Sequence, residues 1–353
     1  MNELNEKIYA GKRISEEEAL NLFDWDILEL GRAADFRTRL AAPGDVVGFI
    51  IDRIINFTNV CEAECNFCAF HARAGQIEPY ELTNEGILNK VAELVESGGT
   101  QVMLQGGLNP RYALDDLTAM VRAIKNRFPR VTLHSFSPAE LVYAARRSGF
   151  SVDHVIEVLK EAGLDSVPGA SDILVERVRK LVSPRKISVG EWVETMESLH
   201  RYGLKSSATM TYGLGETHAE RIAHLSVIRG LQDRTGMIRA FIPWSFSPAQ
   251  TRMENVAAAT GMDYLRIVAI ARIFLDNVRY IQAGWLTEGM KMAQIALTMG
   301  ANDMGGVLTE EVVVGATGLK NKTSMDEMID IIRDAGRIPI QRDSDYRQIR
   351  SFA

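Results

Sequence analysis

Three cysteines close together are the residues of this sequence best suited to metal or redox chemistry. Cys61, Cys65 and Cys68 are the only cysteines among the 353 residues, and they have the spacing C-x3-C-x2-C. An odd number of cysteines in one short segment does not suit a disulfide framework. Three thiolates on one loop can converge on a metal centre, and with no fourth cysteine an iron-sulfur cluster would keep one iron without a protein thiolate.

This segment resembles the signature of the radical SAM superfamily, C-x3-C-x-aromatic-C, with Phe67 in the aromatic position. The resemblance implies that Cys61, Cys65 and Cys68 bind a 4Fe-4S cluster. It implies that S-adenosylmethionine (SAM) occupies the remaining iron through its amino and carboxylate groups, with Phe67 against the adenine. One electron from the reduced cluster would then split SAM into methionine and a 5′-deoxyadenosyl radical.

Other interpretations of the cysteines stay open from the residues alone. Cys61, Cys65, Cys68 and His71 could form a structural Cys3His zinc site, and the protein would then be a zinc-stabilised binding module. An iron-sulfur protein that senses redox state without turnover is a second non-enzyme alternative. A cluster would colour the purified protein brown and bleach with dithionite, whereas a zinc protein would be colourless.

The composition is that of an ordinary globular protein. Hydrophobic residues make up 46% and charged residues 24% of the chain, which excludes disorder and collagen-like repeats. Forty Lys+Arg against forty-six Asp+Glu gives a net charge of -6, without a broad basic field for nucleic acid. No stretch approaches the roughly 18 apolar residues that a membrane span needs, and the polar start of the chain is not a signal peptide. We therefore expect a cytoplasmic protein without a nucleic-acid partner or a membrane span.

The elements that position the cysteines follow an alternating pattern from about residue 46. Apolar β-rich runs alternate with amphipathic helical stretches, as a parallel sheet with helical crossovers requires. The sequence predicts an α/β fold, a (β/α)8 TIM-type barrel over residues 46–320, with an N-terminal helical cap over 1–45 and a C-terminal extension over 321–353 packed on the barrel. The eight predicted strands are residues 49–56, 101–105, 131–136, 164–167, 205–212, 238–242, 278–283 and 297–301.

Further motifs resemble one subgroup of the superfamily over about residues 45–345; they lie at residues 57–61, 104–110, 134–138, 165–169, 241–244 and 300–306. The subgroup contains dehypoxanthine futalosine cyclase, aminofutalosine synthase and the FO synthase proteins, and the motifs are most similar to the cyclase family. That resemblance implies cyclisation of dehypoxanthine futalosine in the futalosine route of menaquinone biosynthesis. The adenosyl radical would remove hydrogen from ribose C4′, and the carbon radical would attack the benzoate ring. Aminofutalosine synthase and an FO-synthase-like enzyme are the alternatives.

Reactive groups of such a barrel follow the C-terminal ends of the strands. We expect Gly106 and Gly107 to let backbone approach the SAM amino group, and Ser137 and Asp172 to contact SAM. Each could instead belong to a turn, and Asp172 stands where the family usually has Glu, on a loop one residue shorter.

Catalytic and substrate-binding residues are predicted on the same edge. Glu216 and His134 are the catalytic candidates, although Glu216 could merely stabilise a helix N-terminus and His134 could be a structural group. A benzoate carboxylate calls for a cation, for which Arg73, Arg239 and Lys291 are the candidates. The predicted substrate-binding residues are Asn302, Asp303, Arg239 and Trp244. The expected partners are a small nucleoside-like substrate and a one-electron reductant of the flavodoxin or ferredoxin type.

Overall fold

Parallel strands around a central space dominate the computed structural model, which describes residues 3–308 and 310–353. Most strands of the ring carry β-branched and other apolar residues, as strands buried between helices and a barrel interior require. The strands are β1 (Val46–Asn56), β2 (Gln101–Gln105), β3 (Thr132–Leu133), β4 (Ser166–Val167), β5 (Lys205–Tyr212), β6 (Ile238–Ser245), β7 (Tyr280–Ile281), β8 (Asp303–Leu308), β9 (Ile338–Arg342) and β10 (Gln348–Ser351).

The strands β1 to β8 pair in a closed ring. β8, β1, β2 and β3 are joined by parallel ladders, and so are β4, β5, β6 and β7. Single parallel bridges link the two groups, His134 with Ser166 on one side and Gln282 with Asp303 on the other. The predicted (β/α)8 barrel is therefore confirmed, with two thin seams where a single bridge replaces a ladder.

Helices cover the outside of the ring. Capping boxes start two of them, one formed by Ser15 with Glu18 and one by Thr217 with Glu220. None of the described helices combines the length and the apolar composition that a bilayer-spanning helix needs. The helices are α1 (Glu3–Tyr9), α2 (Glu16–Asn21), α3 (Ile27–Ala41), α4 (Asn84–Glu96), α5 (Leu114–Arg127), α6 (Pro138–Ser148), α7 (Val152–Ala162), α8 (Glu176–Val182), α9 (Val189–Arg201), α10 (His218–Thr235), α11 (Gly261–Phe274), α12 (Trp285–Glu288), α13 (Met290–Ala296) and α14 (Met325–Asp334).

The N-terminal helices shield the barrel on one side. α3 lies against α11, and α2 lies against α10. From Tyr264 onward α11 is buried except at Arg266, because it is covered by β6 inside and by α3 outside. This explains its nearly continuous apolar sequence.

One predicted strand was wrong in position. Residues 297–301 follow α13 as a turn that includes Gly300, where φ is +111°, and the eighth strand comes after it at Asp303–Leu308. The strand was missed because DMGGVL contains an aspartate and two glycines, which are depleted in strands.

The C-terminal segment closes the N-terminal end of the barrel. β9 runs parallel to the start of β1, on the edge opposite β8, so that Gly48 pairs with both Asp303 and Ile340. Residues 343–347 then cross below the strands, where Ser344 Oγ donates to Gln101 Oε1 at 2.6 Å. We call this closed end the barrel floor, and it consists of residues 342–346 with the side chains that they contact.

Candidate active site

The cysteine loop follows β1 and is held against the loop after β2. The Leu108 amide donates to Cys61 Sγ at 3.3 Å, and Glu62 donates its amide to the Leu108 carbonyl at 2.9 Å. Burial raises the pKa of the Cys68 thiol, while the amides of Phe70 and His71 act in the opposite direction. Amides directed at sulfur stabilise the negative charge of a thiolate, which is the form that binds iron.

Gly106 and Gly107 make the contact between these two loops possible. A Cβ on Gly107 would lie 2.1 Å from the Val60 carbonyl oxygen and 2.7 Å from Cys61 Cβ, and one on Gly106 would lie 2.7 Å from the Phe57 ring. Only glycine fits at Gly107 without moving backbone. The pair therefore positions the cysteine loop, in addition to any contact with SAM.

Glu140 ties Ser137 to this glycine pair, and the sequence interpretation missed it. Its Oε1 accepts the Gly106 amide at 2.9 Å, and its Oε2 accepts the Ser137 hydroxyl at 2.7 Å. Burial raises the pKa of Glu140 to about 7. The S-x-x-E spacing at the start of α6 was the available signal, because it is the pattern of a capping box.

Asp172 is paired with a lysine that the sequence did not single out. Lys186 Nζ lies 2.6 Å from Asp172 Oδ2, and both side chains are mostly buried. Burial raises the pKa of the Cys65 thiol to about 12, with Lys186 opposing the shift and Asp172 adding to it. The loop that carries Asp172 has a left-handed backbone there, with φ of +48°, and is fixed to β5 by the hydrogen bond from the Thr211 amide to the Asp172 carbonyl.

A cavity of about 420 Å³ extends through the barrel from the cysteine loop to the floor. Its upper wall includes Cys68, its lower wall includes Arg239, and apolar side chains lie between them. A pocket of this kind suits a drug-sized organic molecule that polar groups orient at its ends. Other lining residues include Ile54, Phe67, Met103, His134, Asp172, Ile242, Trp244, Phe246, Trp285, Glu311, Arg342 and Tyr346.

Two arginines lie at the floor of this cavity. Arg239 Nη2 donates to Ser166 Oγ at 2.9 Å and contacts His134 Nδ1 at 3.0 Å. Burial lowers the pKa of His134 well below its ordinary value, and Arg239 and Arg342 add to the shift. His134 is therefore a neutral imidazole, so it can accept a proton or donate one hydrogen bond but carries no charge.

Several predicted residues lie outside the cavity lining. The Glu216 carboxylate is fully buried, accepts the amides of Gly213 and Leu214, and pairs with Arg221 at 2.8 Å. Asn302 Oδ1 accepts from Arg272 Nη2 and from the Ile281 amide. These contacts occupy both side chains with the fold of their own loops.

The remaining candidates lie in three different places: the protein interior, a surface cleft and the exposed surface. The Asp303 carboxylate is fully buried and bonds to Arg342 at 2.5 and 2.7 Å. Arg73 donates to the Gln250 carbonyl and lines a separate surface cleft, and Lys291 is exposed. Of the three cations considered for a substrate carboxylate, Arg239 is the one that lines the cavity.

The donor set of the cysteine loop fits an iron-sulfur cluster. All three cysteines are free thiols, two of them receive amide hydrogen bonds, and Cys68 faces the cavity. In the described ranges, no three His, Cys, Asp or Glu side chains are gathered closely enough to hold a single metal ion. Around one zinc ion, Zn–S bonds of about 2.3 Å place the sulfurs roughly 3.8 Å apart. A 4Fe-4S cluster binds each thiolate to a different iron, so the three cysteine sulfurs can lie farther apart.

Comparison with known proteins agrees with this arrangement. Residues 55–228 match the radical SAM superfamily, and residues 234–352 match the CofH/MqnC C-terminal region. The barrel superposes on methylornithine synthase with a TM-score of 0.76 at 17% identity, covering 95% of this chain and 97% of that one. The HydG maturase of [FeFe]-hydrogenase gives 0.78 at 16% identity, covering 99% and 78%. Identities this low establish the fold alone.

Sequence relatives cover nearly the whole chain. The chain is 45% identical to cyclic dehypoxanthine futalosine synthase of Streptomyces coelicolor, and the alignment covers 96% of this chain and 86% of that protein. The synthase of Halalkalibacterium halodurans is 41% identical, covering 98% and 94%. The 5-amino-6-(D-ribitylamino)uracil–L-tyrosine 4-hydroxyphenyl transferase of Methanothermobacter thermautotrophicus is also 41% identical, covering 95% and 94%.

The chain is a radical SAM enzyme, a class that uses a 4Fe-4S cluster and SAM. This follows from the barrel, the cysteine loop and the match to the superfamily, taken together. More narrowly, the chain belongs to the family that contains the cyclic dehypoxanthine futalosine synthases and their 4-hydroxyphenyl transferase relatives.

Proposed function

We propose that this enzyme cyclises dehypoxanthine futalosine to cyclic dehypoxanthine futalosine in the futalosine route to menaquinone. The observation that carries the proposal is the cavity, which connects Cys68 to a buried cation through apolar and aromatic walls. A nucleoside-like molecule with a benzoate at one end has matching chemistry along its length. The 45% identity to the Streptomyces coelicolor synthase, over 96% of this chain, supports the same substrate.

The residues of the cysteine loop would hold the cofactors. Cys61, Cys65 and Cys68 are the proposed iron ligands, and the cluster with SAM supplies a 5′-deoxyadenosyl radical when both are bound. Phe67 lines the cavity beside Cys68 and would lie against the adenine. The apolar walls would keep water and other hydrogen donors away from a substrate carbon radical.

SAM would be positioned by groups on three neighbouring loops. Glu140 holds the Gly106 amide and the Ser137 hydroxyl, so it fixes the backbone that would contact the methionine part of SAM. Asp172 lines the cavity and has a Lys186 partner, which gives an anionic and a cationic group for the amino and carboxylate groups of SAM.

A 4-hydroxyphenyl transferase is the second candidate function. The observation that favours it is the 41% identity to the Methanothermobacter thermautotrophicus enzyme, which covers 94% of that protein. Its name specifies 5-amino-6-(D-ribitylamino)uracil and L-tyrosine as the reacting molecules. Tyrosine also offers an aromatic ring and a carboxylate to the same cavity.

Product analysis separates the two functions. Protein reconstituted anaerobically with iron and sulfide is incubated with SAM, dithionite and either dehypoxanthine futalosine or the uracil with L-tyrosine. Cyclisation predicts 5′-deoxyadenosine and a nucleoside product two hydrogens lighter than its substrate, and no product from the second pair. Formation of a hydroxyphenyl-containing adduct from the second pair alone would overturn the proposal. The matched control is Cys68→Ala, which should give neither product.

The electron donor would dock over the cysteine loop. A surface cleft there is lined by Arg146, Arg147 and Arg185 together with Glu62 and Glu64. Arg185 pairs with Glu64 and Arg146 with Glu191, whereas Arg147 donates to the Pro110 carbonyl. We infer that an acidic protein of the flavodoxin or ferredoxin type binds at these arginines. Arg147→Glu should slow turnover with flavodoxin and leave turnover with dithionite unchanged. Free cysteines and a low-potential donor suit the reducing cytoplasm, where we place the reaction.

A further inference from the structure

The barrel floor contains one cation whose charge the protein itself neutralises poorly. Arg342 forms two hydrogen bonds with the Asp303 carboxylate, at 2.5 and 2.7 Å, and this offsets its charge. Arg239 has a side chain only 10% exposed, and its carboxylate neighbour among the described ion pairs is Asp345, 3.5 Å away and 38% exposed. A buried guanidinium without a close counter-ion is costly, and an anionic ligand would remove much of that cost.

Apart from Asp345, the groups that hold Arg239 in place carry no charge. Its Nη1 donates to the Ser344 carbonyl, and its Nη2 donates to Ser166 Oγ at 2.9 Å. Nη2 also lies 3.0 Å from His134 Nδ1. A guanidinium only donates, so His134 Nδ1 accepts and the imidazole proton lies on Nε2. His134 therefore adds a neutral N–H donor beside the guanidinium, in a side chain that lines the cavity.

The position of this pair defines an axis for the substrate. Arg239 follows the first residue of β6, at the floor, whereas Cys68 lies beyond the C-terminal end of β1. The lining between them includes Met103, Ile242 and Trp244, which suit a flat aromatic ring. A carboxylate at the floor would place the rest of the molecule between the ring and the cysteine loop.

We propose that Arg239 and His134 bind the benzoate carboxylate of the substrate, so that the benzoate points to the barrel floor and the ribose points to Cys68. This inference rests on the proposed function, because it assumes the benzoate-bearing nucleoside. Both Nη2 hydrogens are already used by Ser166 and His134, so the carboxylate would accept from a remaining N–H of the guanidinium, and His134 Nε2–H would supply a second hydrogen bond. His134 then acts as a binding residue, in place of the catalytic role that the sequence suggested.

Equilibrium binding tests the assignment without turnover. The reconstituted enzyme with SAM, but without reductant, is titrated calorimetrically with dehypoxanthine futalosine and with its carboxamide analogue. The wild type should bind the acid about 100-fold more tightly than the carboxamide, as expected for charge-assisted hydrogen bonds in a buried site. Arg239→Gln should bind both ligands with similar affinity, and Arg239→Lys should give an intermediate ratio because it keeps the charge and loses the planar set of N–H donors that contacts Ser166 and His134.

Matched controls make the result specific to the floor. Arg73→Gln and Lys291→Gln change cations outside the cavity and should keep the wild-type ratio. An acid-to-carboxamide ratio near one in the wild type, or an unchanged ratio in Arg239→Gln, would overturn the inference. If Arg239→Gln fails to fold, Arg239→Lys decides, because an unchanged ratio in that variant would also overturn the inference. The proposed function fails by a different readout, the absence of the product two hydrogens lighter, so the two failures are distinguishable.

Discussion

The Arg342 guanidinium donates two hydrogen bonds to the Asp303 carboxylate, from Nε to Oδ2 at 2.5 Å and from Nη2 to Oδ1 at 2.7 Å. This pair joins the C-terminal segment to the first residue of β8, and both side chains are buried. Tyr346 lies under the Arg342 guanidinium, with 3.8 Å from the guanidinium carbon to the ring centroid. This buried ion pair therefore links the floor of the cavity to β8.

Breaking this pair should destabilise the protein strongly. Arg342→Met leaves the Asp303 carboxylate buried without its cation, and we expect a loss of about 3–5 kcal/mol in the free energy of unfolding. Asp303→Asn should also destabilise, and the double variant should lose less than the sum of the two. Anaerobic urea unfolding measures all three. The exposed pair of Arg127 and Glu85, 3.7 Å apart, is the control, since Arg127→Met should change stability by less than about 0.5 kcal/mol. Strict additivity of the two floor variants would show that the pair is not coupled.

Asp52 should make the free energy of unfolding fall as the pH rises from about 4 to 7. Burial raises its pKa to about 7 from an ordinary value of 3.8, with Arg342 opposing the shift. A raised folded-state pKa means that the protonated carboxyl is favoured in the fold. The protonated Asp52 therefore contributes to the free energy of unfolding. That contribution is fully present below about pH 4 and is lost as the pH rises through 7, at about 1.4 kcal/mol per pH unit.

Asp52→Asn removes that titration. The free energy of unfolding of Asp52→Asn minus that of the wild type should rise steadily between pH 4 and 7. Glu140, whose pKa is also about 7, titrates in both proteins and cancels in the difference. A flat difference for Asp52→Asn would mean that this carboxyl titrates alike in the folded and unfolded chains.

The barrel and the cysteine loop could be predicted because their signals are local. Strand periodicity, capping boxes such as Ser15 with Glu18, and the spacing from Cys61 to Cys68 each depend on a few neighbouring residues. The eighth strand was not predicted at its true position because Gly305 and Gly306 lie within it. There the hydrogen bonds to β1 outweigh the low strand propensity of glycine.

The floor could not be predicted because its residues meet only through the fold. Arg342 lies 39 positions from Asp303, and Ser344 lies 243 positions from Gln101. No spacing rule connects residues so far apart in the chain. For the same reason, Arg239 could not be ranked above Arg73 until the cavity was known, because charge alone does not say which way a side chain faces.

The contact of Gly107 with the cysteine loop gives a further prediction. Gly107→Ala would place a Cβ 2.1 Å from the Val60 carbonyl oxygen, so the backbone before Cys61 must shift. We expect the reconstituted variant to hold less than about half of the wild-type iron, because ligand positions within the loop must be kept to about 0.5 Å. Iron analysis and visible absorption measure this. Gly190→Ala is the control, since its Cβ would meet nothing closer than Ser188 Oγ at 3.9 Å. Full cluster content in Gly107→Ala would show that the loop can relax around the added methyl group.

Glu140 offers the sharpest test of how the glycine pair is positioned. Glu140→Ala leaves the Gly106 amide without its acceptor at 2.9 Å and the Ser137 hydroxyl without its acceptor at 2.7 Å. An orphaned buried donor costs about 1–3 kcal/mol, so the loop should move to satisfy it, and SAM affinity should fall by roughly 10-fold or more. Glu140→Gln keeps an oxygen for the Gly106 amide, and Ser137 can turn its hydroxyl to accept from the new amide group, so affinity should fall less than about 3-fold. Calorimetric titration of the reconstituted enzyme with SAM measures both variants, and cluster absorption confirms that the iron site is intact. Equal losses in Glu140→Ala and Glu140→Gln would assign the effect to the lost charge, and no loss in either would separate Glu140 from SAM binding altogether.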